Sequence, residues 1–276
     1  LGFEMAYAHP IVALITAYGL ELIYTWLWCT TSGNKLPFVN GGVLGLVDFL
    51  LPAHISALAC AMLIYTNETY MPLVFCVALA VGSKYIFRIP VGEGRTRHFL
   101  NPSNAGISVT LVLFPWIGAA PPYQFTNYVS DVWQWLLPAV VICAGTFLNW
   151  RFTRRLYVII GWILGFIVQA LLRGTMEEFS LLHALSPITG FAFWIFTFYM
   201  ISDPATTPSN PSGQFIFGLS VAVLYAFMDL GNVVYQIFFA LMIVCCVRGA
   251  LIALSPYLRN TGRMSGVIAD NSRILL

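Results

Sequence analysis

The chain has 276 residues, of which 59% are hydrophobic and only 9% charged, against about 25% charged in an average soluble domain. A protein of this size with a water-facing exterior has nowhere to put so much apolar surface, which excludes an ordinary soluble domain and leaves lipid as the solvent. The formal net charge of +2 is too small for a nucleic-acid interface, and the basic residues fall between apolar runs rather than in a stripe.

A bilayer core needs about 20 apolar residues per crossing helix. In chain order, apolar runs occupy 10–31, 43–66, 69–87, 103–120, 132–150, 156–172, 187–202, 214–229 and 233–254. They predict an all-α, polytopic transmembrane helical bundle of about nine helices. A single transmembrane domain over 1–254 is followed by a cytoplasmic tail over 255–276. The seventh and eighth runs are short, which predicts tilt, a re-entrant piece or a broken helix.

The connecting segments set the orientation. Lys35, Arg88, Arg95, Arg97, Arg151, Arg154, Arg155, Arg259, Arg263 and Arg273 fall on one side of a nine-helix stack. Lys84 and Arg248 sit near the same ends of their helices, and only Arg173 falls opposite, among Glu4, Glu68, Asp131, Glu177, Glu178 and Asp229. Lysine and arginine mark the cytoplasmic face, so the N-terminus is expected outside and the C-terminus inside. A tenth helix before Leu1 would restore a cytoplasmic start. The six cysteines lie in or beside apolar runs with no CxxC spacing, the pattern of buried free thiols rather than of a metal centre.

Two connections are unusual. Residues 101–106 read NPSNAG and residues 208–213 read PSNPSG, and each opens directly into an apolar run. Asparagine and serine accept hydrogen bonds from the free N–H groups at a helix start, and proline is tolerated there because its missing N–H would be unpaired anyway. Such a start also suits an anion, and Arg95, Arg97 and His98 would reinforce one. The plainer reading is capping alone. Within the runs, Glu21, Asp48 and His54 are candidates for lining a polar cavity, since ionisable groups at membrane depth need a partner or water.

At these two connections the sequence resembles the RnfD/NqrB family of membrane electron-transport subunits. The first matching stretch is KYIF at 84–87 with RHFLNPSNAGISVTLVLFP at 97–115. The second is LHALSPITG at 182–190, then FYMISDPATTP at 198–208 and GQFIFG at 213–218. The resemblance implies an electron-transfer subunit in a bacterial inner membrane, holding flavin (FMN or riboflavin) within the bilayer region or facing a quinone-like redox partner. Lys84, Arg95, Arg97, His98, Asn101, Ser103, Asn104, Asp203, Thr206 and Thr207 are its expected cofactor-binding positions. The SGAT-type motif that carries the family's covalent flavin is absent, so any flavin is expected to be noncovalent, as in a short stand-alone relative of the kind found in enediyne gene clusters. Expected partners are the lipid bilayer, other membrane redox subunits or a soluble electron donor, and no nucleic acid. Two other functions fit the same residues: a transporter or channel without redox activity, and a scaffold subunit of a membrane complex.

Overall fold

The computed structural model describes residues 6–67, 69–90, 96–119, 132–176 and 181–260. In chain order the helices are α1 (Ala8–Ser32), α2 (Gly42–Leu63), α3 (Met71–Ile86), α4 (Pro102–Leu113), α5 (Trp133–Arg151), α6 (Leu156–Met176), α7 (Leu181–Leu185), α8 (Phe191–Ile195), α9 (Pro211–Leu230) and α10 (Gln236–Asn260). Short strands β1 (Ile64–Tyr65) and β4 (Gly118–Ala119) pair with each other, as do β2 (Arg88–Pro90) and β3 (Thr96–His98). Among the described residues, α1, α2, α6, α9 and α10 are long and apolar enough to cross a membrane, and α3 and α4 are shorter apolar helices. The chain is an all-α, membrane-embedded bundle.

Three runs differ from expectation in continuity or length, besides the last, which runs on past its expected end. The fourth, expected over 103–120, is helical only through Leu113. Pro115 disfavours helical geometry at the residue before it, and Gly118 and Ala119 then pair with Tyr65 and Ile64. The seventh, expected over 187–202, is broken into a 3-10 turn (Ser186–Thr189), α8, and a π-turn over Phe196–Met200. The eighth, expected to be short, is a full 20 residues, because Asn210 accepts a hydrogen bond from Gly213 N and starts the helix at Pro211.

The chain divides into two compact units. One holds α1–α4, with α1 and α3 parallel: His9 meets Tyr70 at their starts, and Tyr24 meets Tyr85 near their ends. Gly106 of α4 lies against the Cys76 carbonyl and Ala80 of α3, with no room for a Cβ.

The other unit holds α5–α10. Here α6 and α9 run parallel and touch backbone to backbone. A Cβ at Gly161 would run into the Phe215 carbonyl, and one at Gly218 into the Val158 carbonyl. Small residues that let helix backbones approach are the usual basis of tight packing in lipid, where burial of apolar surface gives no advantage. Beside this crossing, Trp162, Phe166, Phe193, Phe196 and Tyr225 form an aromatic cluster with ring centroids 4.9–5.8 Å apart. The helix α10 turns back along α9, and it continues to Asn260, past the expected end of the last run.

Candidate functional site

The second polar block folds into a loop closed by its own hydrogen bonds between the π-turn and α9. Asp203 organises it: Oδ1 accepts from Ala205 N at 3.0 Å, and Oδ2 accepts from the Thr206 hydroxyl at 3.1 Å. The Asp203 carbonyl accepts from the Thr207 hydroxyl at 2.7 Å and from the Thr207 amide at 3.2 Å. An aspartate two residues ahead of a free N–H closes such a turn readily, and Pro204 presets the backbone for it. Thr206 and Thr207 are thereby buried.

Three arginines from three separate segments hold this loop. Arg97 of β3 and Arg155, in the turn between α5 and α6, both donate to the Pro204 carbonyl, the latter at 3.3 Å. Arg248 of α10 donates Nη1 to the Thr206 carbonyl at 2.8 Å. Against three guanidiniums the loop itself supplies one carboxylate, Asp203. Burial pulls the Arg97 pKa down, with Asp203 opposing. Arg155 is pulled down by burial first and by the neighbouring Arg97 charge second, again with Asp203 opposing. Mutual repulsion within a half-buried group is the electrostatic condition for taking up an anion.

Further polar side chains fix the surroundings. Asn101 Nδ2 donates to the Met200 carbonyl at 3.1 Å, joining the start of the first polar block to the π-turn. Asn149 Nδ2 donates to the Phe198 carbonyl at 2.8 Å and its Oδ1 accepts from Thr153. Gln214 Nε2 donates to the carbonyls of Arg154 and Ser209. A π-turn leaves carbonyls outside the regular ladder, and such turns recur at functional sites; here Asn101 and Asn149 take two of them. Compared with known proteins, the sequence matches no family model and no curated protein.

Of the expected site residues, Arg97, Asn101, Asp203, Thr206 and Thr207 come together at this loop. His98 is half-buried in β3, next to Arg97. Arg95 lies outside the described residues. Ser103 and Asn104 are buried in the first turn of α4, in the other unit. Lys84 also belongs to that unit, where its Nζ lies 2.7 Å from Glu21 Oε2 and Tyr85 donates to the other carboxylate oxygen at 3.0 Å. Glu21 is therefore neutralised by a partner rather than left to a cavity. His54 Nδ1 sits 2.5 Å from the Tyr18 hydroxyl, and Asp48 is exposed on α2.

Sequence reasoning placed Arg155 and Arg248 only as markers of topology and did not single out Asn149 or Gln214. Arg248 carried a signal: it interrupts an apolar run, and a charge at such a place normally faces a polar partner. Arg155 carried none, because clustered arginines at a helix–helix turn are equally the mark of a cytoplasmic connection.

Proposed function

We propose that the protein is an integral membrane electron-transfer subunit of the RnfD/NqrB type. In this reading it holds a noncovalent flavin whose phosphate or polar head is received by Arg97 and Arg155 at the Asp203–Thr207 loop. The observation that carries the reading is the cluster of Arg97, Arg155 and Arg248 on one loop whose own acid is Asp203. That set fits a phosphate-bearing head, which accepts from several guanidinium N–H groups at once. The two sequence blocks that resemble the family meet at this loop through Asn101 and Met200. Bound there, flavin would supply the electron-transfer chemistry, while the protein supplies orientation and electrostatics. The residues' own work is to bind and to brace. Arg97 and Arg155 neutralise the head, Asp203 with both threonines holds the loop closed, and Asn101 holds the π-turn that precedes it.

The same reading has nine membrane-crossing segments in a bacterial inner membrane, with the arginine-held loop on the cytoplasmic face. Support comes from the lysine and arginine asymmetry, to which Arg173, ion-paired with Asp229, is the exception.

The test is the visible spectrum of detergent-purified protein. Flavin bands near one per chain, reduced in Arg97→Gln and Arg155→Gln, are expected. One observation favours a second reading, that of a scaffold subunit: the Asp203, Thr206 and Thr207 side chains are engaged within their own loop. A colourless, monodisperse preparation that co-purifies with a fixed membrane partner would select it.

A further inference from the structure

The α9–α10 face carries an apolar groove of about 640 Å³. Ile216, Val223 and Phe227 of α9 and Ile243, Val247 and Leu251 of α10 line it, and all six are exposed. From Gly213 to Phe227 the groove follows α9 for about 21 Å at the helical rise. That exceeds the half-depth of a bilayer core, about 15 Å, so one leaflet's acyl chain fits along it.

Its charge is concentrated at one end. Arg248 is the charged residue of the lining, and it stands with Pro208 at the end where α9 begins. Arg97 and Arg155 lie within electrostatic reach of Arg248, and Asp203 is the acid that offsets them. The groove thus joins a chain-length apolar wall to a cationic head. A zwitterionic headgroup would bring its own cation toward these arginines, whereas an anionic one would not.

We propose that this groove holds one anionic phospholipid of the surrounding membrane, its acyl chain between α9 and α10 and its phosphate at the Arg248 end. The flavin reading draws on the same three arginines but makes no use of the groove, so loss of lipid in Ser220→Trp with flavin content unchanged distinguishes the two.

Native mass spectrometry of the full chain, incubated in detergent with equal phosphatidylglycerol and phosphatidylcholine, tests it. One phosphatidylglycerol per chain should be retained with about fivefold preference, the effect of roughly one basic residue near a lipid surface. Ser220→Trp fills the exposed middle of the groove without touching Arg248 and should abolish retention. Ile160→Trp, on the exposed side of α6, should leave it intact. Arg248→Gln should bring the two lipids to parity. Because that change also releases the Thr206 carbonyl, Ser220→Trp is the deciding variant of the two. Equal retention of both lipids by the unaltered chain overturns the proposal, as does undiminished retention in Ser220→Trp. Displacement of the lipid by inorganic phosphate alone would overturn it too, by making the site one for a free anion.

Discussion

Asn101 Nδ2 donates to the Met200 carbonyl 3.1 Å away, across 99 residues of chain. One hydrogen bond thus ties the residue before α4 to the π-turn that precedes the Asp203 loop. Both residues are buried, so the pair has no water to fall back on.

Removing either anchor of the loop should therefore be costly. Asn101→Leu leaves the Met200 carbonyl only the 3.5 Å hydrogen bond from Asp203 N, and Asp203→Leu takes away the side-chain acceptor of Ala205 N and of the Thr206 hydroxyl. A buried group left unsatisfied costs about 1–3 kcal/mol. Both variants should melt earlier in detergent and lose any bound cofactor, while Arg154→Gln, an exposed side chain, should match the unaltered protein. Indistinguishable melting and cofactor content across the three would refute this ranking.

The Glu21–Lys84 pair gives a sharper test. Each side chain is nearly buried, and removing one member of such a pair costs about 3–5 kcal/mol because the other charge stays behind. Glu21→Gln and Lys84→Met should each lower the unfolding midpoint strongly, and the double variant should recover much of the loss. A strictly additive double-mutant cycle would show that the two charges do not depend on each other.

The parallel crossing of α6 and α9 has no space at its glycines. Gly218→Leu should prevent folding altogether, since its side chain would have to displace the Val158 carbonyl and the Trp162 amide. Gly19→Leu, where nothing lies within reach of a Cβ, should fold. Size-exclusion profiles of fluorescently tagged protein separate the two outcomes, and equal monodisperse peaks would contradict the crossing.

Trp162 is fully buried in the aromatic cluster and donates Nε1 to Thr197 Oγ1 at 3.0 Å. Trp162→Phe should cost about 1–3 kcal/mol through the cavity and the lost indole hydrogen bond, the Thr197 hydroxyl keeping its bond to the Phe193 carbonyl. Thr197→Val should cost less than Trp162→Phe, because it removes a partner without removing volume. Thermal shift on the pair checks the order.

Much of this architecture was legible before the fold. The positions of the long helices, the start of α4 at Pro102 and the start of α9 behind Asn210 follow from local rules of hydropathy and capping. The break in the seventh run was foreshadowed by its length, but its π-turn was not, because π-turns have no local signature of their own. At the candidate site the sequence found the loop and missed its clamps. Arg155 and Arg248 looked like the ordinary charged edges of helices until the Pro204 and Thr206 carbonyls were placed beside them.

The amino-acid sequence by itself determined the solvent, the class of fold and where helices begin. In lipid every backbone group must be satisfied inside its own segment, so those choices are made within a few residues of chain. Only the tertiary structure decided how charges are shared. It assigned Lys84 to Glu21, 63 residues away, and gave three arginines to the loop that Asp203 closes. Electrostatic pairing acts through distance in space, and a charged residue carries no local record of which partner will reach it.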